Sequence, residues 1–156
     1  MKKVMFISSG GGHLEELLQL ESLFEKCDYR LVTEKTKTTA YLKEKYPKTS
    51  YLLYGTKDHL LPYLFIFPMN ILISFCLFLR YRPDAVVTTG THTAVPMCYI
   101  AHLFGKKVVY IETLANAHSA TKAGKMVYPF ADKFIVQWES MKEVYPDAEY
   151  WGSIYS

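Results

Sequence analysis

A glycine-rich run that ends in a histidine is the part of the sequence best suited to chemistry. Ser9, Gly10, Gly11, Gly12 and His13 come directly after a short apolar run. Glycines let the backbone approach a ligand closely, and free N–H groups at the start of a helix favour anions. The run therefore predicts a ligand-binding loop. His13 is a candidate general base or a candidate hydrogen-bond donor to a phosphate. The alternative is that it is only the first residue of a helix.

A second candidate loop consists of Thr89, Gly90 and Thr91, which precede another apolar stretch. Hydroxyl groups packed around a glycine suit the binding of a phosphate or of sugar hydroxyls. The alternative is that Thr91 or Thr93 only caps the following helix, which is a common role for threonine.

Three polar or aromatic residues stand at the ends of later apolar runs. Glu112 follows Ile111, where a carboxylate could orient or deprotonate a sugar hydroxyl, or act only as a capping acid. Gln137 and Trp138 end another run, and an indole ring there could stack on a sugar or fill the core.

Other chemistries fit the sequence less well. A dinucleotide-binding loop needs a glycine three residues after Gly12, but that position is Glu15, although Glu34 lies where a ribose-binding acid would be. The sequence has no Gly-Lys-Ser/Thr of a P-loop, no Asp-x-Asp and no Cys-x-x-Cys. We therefore expect no metal, and a small nucleotide-binding oxidoreductase is only an alternative.

The elements that would position these loops alternate along the chain. Short β-rich runs are each followed by a helical pattern, which is typical of a Rossmann-like α/β fold with a parallel sheet and helices on both faces. In such sheets ligands bind at the carboxyl ends of the strands, where the candidate loops lie. The predicted strands are residues 4–8, 29–33, 51–54, 85–89, 107–111 and 134–137, and the predicted helices are residues 14–26, 38–46, 92–104, 119–128 and 139–145.

Size and composition are those of one globular domain. We expect residues 1–156 to form a single domain, because a chain of this length can bury a core without a disulfide or a structural metal. A net charge of +3 gives no argument for nucleic acid. The scattered cysteines suit a reducing cytosol, and the amino-terminal apolar run is too short for a signal peptide, so we expect a protein that is not exported.

The segment from Leu60 to Leu79 contains no charged residue. Twenty residues are enough to span a bilayer, but Pro62, Pro68 and Asn70 count against a span. The two other interpretations are a buried crossover helix and a helix that places one face in the lipid interface.

Together, these motifs resemble a known family. It is the membrane-anchoring subunit of the dolichol-pathway N-acetylglucosaminyltransferase, with its bacterial relatives, the enhancer subunits of capsular galactosyltransferases. Thr113 after Glu112, and residues 115–118 in a region where members often carry an arginine, favour the capsular branch. The segments that carry the resemblance are residues 9–17, 83–84, 89–91, 111–112, 128–132 and 137–138.

The resemblance implies a split glycosyltransferase, of which this chain would be equivalent to the N-terminal half of the GT-B fold. This half would bind a lipid-linked acceptor at the cytoplasmic face of the membrane, with residues 60–79 as the membrane contact. A partner subunit would bind UDP-galactose or UDP-N-acetylglucosamine, and no cofactor is implied.

The same resemblance suggests roles for the candidate residues. A similar glycine-rich loop in the peptidoglycan lipid-intermediate transferase has a histidine near the donor diphosphate, so His13 is the first catalytic candidate and Glu112 the second. The two glycine-containing loops, Gln137 and Trp138 would bind substrate. The alternative is a non-catalytic scaffold that recruits and activates the catalytic partner at the membrane.

Overall fold

The computed structural model describes residues 1–55 and 60–155. Seven parallel strands form one sheet in the order β3-β2-β1-β4-β5-β6-β7, so the direction of winding reverses between β1 and β4. This sheet confirms the predicted parallel α/β fold. The strands are β1 (Lys3–Ser8), β2 (Asp28–Glu34), β3 (Thr49–Leu52), β4 (Ala85–Gly90), β5 (Lys107–Ile111), β6 (Lys133–Val136) and β7 (Glu149–Tyr150), and the helices are α1 (Gly12–Leu18), α2 (Leu42–Lys45), α3 (Leu60–Tyr81), α4 (Val95–Leu103) and α5 (Lys122–Val127).

The central strand β1 shows why helices cover both faces of the sheet. Successive side chains of a strand point to opposite faces. Met5 and Ile7 are fully buried in the core cluster that contains α4, whereas Phe6 is buried in a second cluster with Leu14 and Leu17 of α1. A strand that is apolar on both faces must be covered on both, which fixes β1 at the centre of the domain.

The long helix α3 lies against the domain with a narrow buried face. Asn70, Ser74 and Phe78, which share one side of the helix, are its buried residues. The Asn70 side chain closes the end of β3, because its amide donates to the Leu53 carbonyl at 2.9 Å and its Oδ1 accepts from the Leu53 N–H at 2.8 Å. Only 11% of the apolar stretch of α3 is buried, so the interpretation as a buried crossover helix is wrong.

The helix predicted for residues 14–26 is divided into two parts. The α-helix α1 ends at Leu18, and a 3₁₀ turn follows at Glu21–Lys26. This turn packs the Phe24 ring against the rings of Phe6 and Tyr29, with centroid distances of 4.8 and 4.4 Å. Aromatic packing therefore shortens the helix that periodicity predicts.

Only α2 remains of the helix predicted for residues 38–46. Thr36 and Thr39 bind each other's backbone instead, with N–H to hydroxyl distances of 2.8 and 3.2 Å, and the Thr39 hydroxyl also donates to the Glu34 carbonyl at 2.6 Å. Such local bonds from threonine side chains compete with the helical pattern.

Smaller differences concern the remaining elements. β3 covers Thr49–Leu52 rather than residues 51–54, because the backbone of Leu53 is bonded to Asn70. The helices predicted for residues 92–104 and 119–128 are the shorter α4 and α5. The helix predicted for residues 139–145 is only a 3₁₀ turn at Glu139–Lys142, and the two-residue strand β7 is too short for a periodic signal.

Candidate functional site

The first two candidate loops meet where the direction of winding reverses. β1 and β4 pair there, with Ser8 opposite Gly90. The Ser9 N–H donates to the Gly90 carbonyl at 2.9 Å, and the Ser9 hydroxyl accepts from the Thr91 N–H at 3.2 Å. The glycine loop (residues 9–13) and the threonine loop (residues 89–91) therefore form one site at the carboxyl ends of the strands, the position where ligands bind in sheets of this kind.

The His13 ring is half-buried and oriented by Thr89. Its Nδ1 lies 3.0 Å from the Thr89 carbonyl oxygen, and a carbonyl only accepts hydrogen bonds, so Nδ1 carries the proton. The Thr89 hydroxyl in turn donates to the His13 carbonyl at 2.5 Å. In the neutral ring a proton on Nδ1 leaves a lone pair on Nε2, so Nε2 is the atom able to accept a proton from a ligand.

Gly90 allows the threonine loop to approach this ring. Its φ is +100°, and a Cβ at this position would lie 2.9 Å from the Tyr110 hydroxyl oxygen and 3.5 Å from Nδ1 of His13. Gly11, which precedes α1, has a φ of +73°. Both conformations favour glycine, because residues with a Cβ rarely adopt a positive φ.

The interpretation of Thr91 or Thr93 as a helix cap is wrong, because neither side chain caps the helix that follows. Thr91 precedes a 3₁₀ turn at His92–Ala94 and makes no side-chain cap, and α4 begins only at Val95. The Thr93 hydroxyl is buried, and within residues 1–55 and 60–155 it has no hydrogen-bond partner.

Glu112 is only 1% exposed, and hydrogen bonds occupy both oxygens of its carboxylate. Oε2 accepts from the Thr121 N–H at 3.1 Å and from the Tyr145 hydroxyl at 2.7 Å, and Oε1 accepts from the Thr121 hydroxyl at 2.9 Å. Thr121 is the N-cap of α5, and a Cβ on Gly124 would overlap the Glu112 carboxylate. These contacts are the ones that the capping-acid interpretation requires, and the catalytic role of Glu112 stays a prediction.

Glu16, which sequence analysis did not identify as a site residue, is the centre of a second buried network. Its Oε1 accepts from the Thr113 hydroxyl at 2.8 Å and from the Leu114 N–H at 3.1 Å, and its Oε2 accepts from the Gln137 amide at 3.1 Å. Gln137 is 4% exposed, and its Oε1 accepts from the Ile154 N–H at 2.9 Å. Gln137 therefore connects buried groups, and its role as a substrate contact stays a prediction.

An open cleft of about 520 Å³, which we call the histidine cleft, lies beside His13 and Trp138. The Trp138 side chain is 43% exposed, and its indole N–H donates to the Leu114 carbonyl at 2.6 Å. The ring is thus fixed at its polar edge and leaves apolar surface for a ligand. The other lining residues are Gly12, Glu16, Thr113, Leu114, Ala115 and Tyr155.

A second cleft, of about 600 Å³, borders the first part of the glycine loop, and we call it the lysine cleft. Glu34 is 4% exposed there, and its Oε1 accepts from the Gly10 N–H at 3.1 Å, which ties the loop to the end of β2. A smaller cavity of about 130 Å³ lies at the opposite, amino-terminal edge of the sheet. The lysine cleft is lined by Gly10, Gly11, Glu34, Lys35, Thr36, Lys37, Thr38 and Tyr54.

Two buried tyrosines near the site remain neutral. Burial, and then the charge of Glu112, raises the pKa of Tyr110. Burial, and then the hydrogen bond to Glu112, raises the pKa of Tyr145.

No group of three His, Cys, Asp or Glu side chains in the described part of the chain is placed to hold a metal ion.

The outer face of α3 is a large apolar surface. The helix has 22 residues and a mean hydropathy of 2.0 over its most apolar stretch, so its length and composition would allow it to cross a membrane. A Cβ on Gly55 would lie 2.9 Å from Ile66 and 3.4 Å from Tyr63, so the chain after β3 packs directly on this helix. The exposed side chains of α3 include Leu60, Leu61, Leu64, Phe65, Met69, Ile71, Leu72, Phe75 and Leu79.

Solved structures share this fold. MurG from Acinetobacter baumannii gives a TM-score of 0.77 at 18% identity, covering 98% of this chain and 46% of that one. UDP-N-acetylglucosamine 2-epimerase from Rickettsia bellii gives a TM-score of 0.75 at 18% identity, covering 99% of this chain and 46% of that one. These similarities confirm the predicted fold class, a Rossmann-like domain equivalent to one half of a GT-B structure.

Curated relatives match about half of the sequence. The human UDP-N-acetylglucosamine transferase subunit ALG14 is 41% identical over 88 residues, which are 53% of this chain and 41% of that protein. The Candida albicans protein of the same name is 36% identical over 89 residues, with the same coverage of 53% and 41%. The matched part therefore spans about two fifths of the length of these relatives.

A protein family also matches this chain. The family described as "Oligosaccharide biosynthesis protein Alg14 like" matches residues 57–154, which include α3, the threonine loop and Trp138 but not the glycine loop. This match covers more than half of the sequence. The chain belongs to the Alg14-like family of oligosaccharide biosynthesis proteins.

Proposed function

We propose that this chain is the acceptor-binding, membrane-associating subunit of a two-subunit glycosyltransferase that uses a UDP-sugar. The acceptor is a lipid-linked intermediate at the cytoplasmic face of the membrane, a partner subunit binds the donor, and no cofactor takes part. This chain belongs to the Alg14-like family. The observation that carries the proposal is the position of the His13 ring. Its Nδ1–H is held by the Thr89 carbonyl, and the ring lines an open cleft.

The proposed role of His13 is that of a general base. The acceptor hydroxyl attacks the anomeric carbon of the donor sugar, a new C–O bond forms, and UDP leaves with the electron pair of the broken bond. The hydroxyl proton passes to Nε2 of His13, while the bond from Nδ1 to Thr89 keeps the ring in place. A positioned general base contributes about 10²- to 10⁴-fold to the rate. Ser9, the glycine loop, the threonine loop and Trp138 would surround the reacting groups.

UDP-N-acetylglucosamine is the proposed donor, because the curated relatives are named as subunits of a UDP-N-acetylglucosamine transferase. The word subunit in those names also supports a separate catalytic partner for this chain. UDP-galactose and a capsular or exopolysaccharide product are the competing assignment, which residues 115–118 favour.

The apolar face of α3 supports membrane association. Several leucine and phenylalanine side chains on that face are more than half exposed, for example Leu61 at 72% and Phe65 at 73%. A helix with one apolar face and a narrow face bonded to the protein suits a position in the lipid interface. Placing α3 there would hold the chain beside a lipid-linked acceptor.

Reconstitution of the pair tests this proposal. The purified chain is combined with vesicles, a short-chain lipid-linked acceptor and a candidate glycosyltransferase partner, and release of UDP is measured with each of the two donors. We expect release only when both proteins are present, and a loss of about 100-fold with His13→Ala. The control is His102→Ala, an exposed histidine of α4 away from both clefts. Full transfer by the partner alone would overturn the proposal.

A non-catalytic scaffold is the second candidate function. The observation that favours it is that Glu112 and Gln137, two of the residues predicted for the site, are buried in structural hydrogen bonds. A scaffold would tolerate His13→Ala without loss of rate, provided that the variant still binds its partner. Co-purification of the pair, measured beside the rate, separates the two functions.

A further inference from the structure

The lysine cleft combines groups that suit a phosphorylated ligand. Lys35 and Lys37 are exposed at its edge, and in the described parts of the chain neither ammonium has a carboxylate within 4.0 Å. Thr36 and Thr38 add hydroxyl groups to the same lining. Two lysines against the single carboxylate of Glu34 leave the lining positive, and ammonium groups bind phosphate oxygens through charge-assisted hydrogen bonds.

The loop that carries these lysines is held in one conformation. Thr36 and Thr39 bind each other's N–H groups, and the Tyr51 hydroxyl donates to the Thr39 carbonyl at 2.8 Å. The Lys35 ammonium lies 5.9 Å from the centre of the Tyr51 ring. A fixed loop reduces the entropy lost when its side chains bind a ligand.

The lysine cleft also lies beside the start of α3. Tyr54 lines the cleft, and the next residue, Gly55, packs on Tyr63 and Ile66 of α3. Tyr63 belongs to the first turn of α3, so the start of the helix lies close to the cleft wall. Apolar surface and phosphate-binding groups are thus next to each other.

The glycine loop connects the two clefts. Gly10 and Gly11 line the lysine cleft, whereas Gly12 and His13 line the histidine cleft. The order along the surface is therefore the apolar helix α3, the lysine cleft, the glycine loop and the histidine cleft. This order matches an amphiphile with an apolar chain, an anionic linker and a sugar.

We propose that the lysine cleft binds the diphosphate of the lipid-linked acceptor through Lys35 and Lys37, with the lipid chain along α3 and the sugar over the glycine loop. The inference rests on the proposed function and adds a ligand site to it. The Oε2 of Glu34, which accepts no hydrogen bond from residues 1–55 and 60–155, would accept a hydroxyl of the sugar.

Direct binding to the purified full-length chain tests this site without a partner or a donor. The probes are radiolabelled farnesyl diphosphate, farnesol and inorganic pyrophosphate in equilibrium dialysis. We expect the Lys35→Ala/Lys37→Ala variant to bind farnesyl diphosphate about tenfold or more weakly, because both charge-assisted contacts are lost. Lys26→Ala/Lys43→Ala, which removes two exposed lysines outside the cleft, should bind like the wild type.

The three probes distinguish binding of the lipid chain from binding of the diphosphate, and a free diphosphate from one that is attached to a lipid. Farnesol binding should be the same in all variants, and pyrophosphate should bind wild type more weakly than farnesyl diphosphate. Equal affinity of wild type and the Lys35→Ala/Lys37→Ala variant for farnesyl diphosphate would overturn the inference. Equal affinity of wild type for pyrophosphate and farnesyl diphosphate would overturn the part that concerns the lipid chain.

The proposed function and this inference can fail independently. Lysine-dependent binding of farnesyl diphosphate, without transfer by any reconstituted pair, would support the site and contradict the transferase. Transfer that needs both proteins, but is unchanged in the Lys35→Ala/Lys37→Ala variant, would support the transferase and overturn the site.

Discussion

His13 and Thr89 are bonded to each other twice, from ring N–H to carbonyl at 3.0 Å and from hydroxyl to carbonyl at 2.5 Å. The pair joins α1 to the end of β4, so the orientation of the ring is also a structural contact. Removal of the whole ring therefore removes both the proposed proton acceptor, Nε2, and the structural bond from Nδ1 to Thr89. A variant that keeps the contact and removes only the second nitrogen separates chemistry from structure.

His13→Asn is that variant. The asparagine amide has an N–H near the position of Nδ1, so it can still donate to the Thr89 carbonyl, but it has no counterpart of Nε2. We expect UDP release by the reconstituted pair to fall about 100-fold, with an unchanged unfolding midpoint in urea. His102→Ala should leave the rate of UDP release unchanged. A rate for His13→Asn equal to that of wild type would show that Nε2 accepts no proton in the reaction.

Glu16 should matter for stability far more than its neighbour Glu15. Glu16→Ala removes the acceptor of three buried donors, from Thr113, Leu114 and Gln137. Leaving buried donors unsatisfied costs about 1–3 kcal/mol for each group, so we expect a loss of about 3 kcal/mol in the free energy of unfolding. Urea denaturation at pH 7 measures the loss.

Glu15→Ala is the matched control, because Glu15 is exposed on the same helix. It should change the free energy of unfolding by less than about 0.5 kcal/mol. Glu16→Gln keeps one acceptor oxygen and should fall between the two. Equal effects of Glu15→Ala and Glu16→Ala would mean that the buried network does not stabilise the fold.

The arrangement of the sheet could be predicted from the sequence because it depends on local patterns. Apolar runs such as residues 4–8 and 107–111 identify the strands, and the helical segments between them imply parallel pairing. The loops at the carboxyl ends then follow from connectivity alone. This is why Ser9, Gly90 and Thr91 were expected at one site, and the hydrogen bonds among them agree.

The roles of the acidic residues could not be predicted in the same way. Glu112 is enclosed by Tyr145 and by the close approach of Gly124, which are distant from it in sequence. Glu16 did leave a signal, because it stands between Leu14 and Leu17, outside the polar face of α1. A carboxylate on a buried helix face needs hydrogen-bond donors, so it predicts a buried network, although not its members.

Stability should decrease at alkaline pH. Burial raises the pKa of the Cys98 thiol from its ordinary value of 9.0 to about 12, and burial also raises the pKa of Tyr110 and Tyr145. Groups whose pKa is higher in the folded state release protons first in the unfolded state, so the stability that these groups contribute is fully present below about pH 9 and is lost between about pH 9 and 12.

Urea denaturation at several pH values measures this decrease. Cys98→Ala removes the thiol contribution, so its stability should fall less between pH 9 and pH 12 than that of wild type, although it is lower at pH 7 because of the cavity. Cys76→Ala, at an exposed position, is the control and should follow the wild-type pH profile. A wild-type stability that stays constant to about pH 12 would contradict the raised pKa values.

Cys76 reports whether α3 contacts lipid. Its side chain is exposed on α3, next to Phe75, whereas Cys98 is buried and should not react in the folded protein. If the apolar face lies in the lipid interface, neutral and anionic vesicles should slow the reaction of Cys76 with a water-soluble maleimide by about fivefold or more, because the charged reagent does not enter the acyl region. Mass spectrometry of the labelled chain measures the rate at each cysteine.

A cysteine on the other side of the sheet provides the control for this labelling. Ser22→Cys in a Cys76→Ser background places an exposed thiol in the 3₁₀ turn Glu21–Lys26, which packs on the Phe6 side of the sheet. Vesicles should leave its labelling rate unchanged if the domain binds lipid only through α3. Protection at both positions would indicate non-specific adsorption, and protection at neither would leave the apolar face of α3 as a contact for protein instead of lipid.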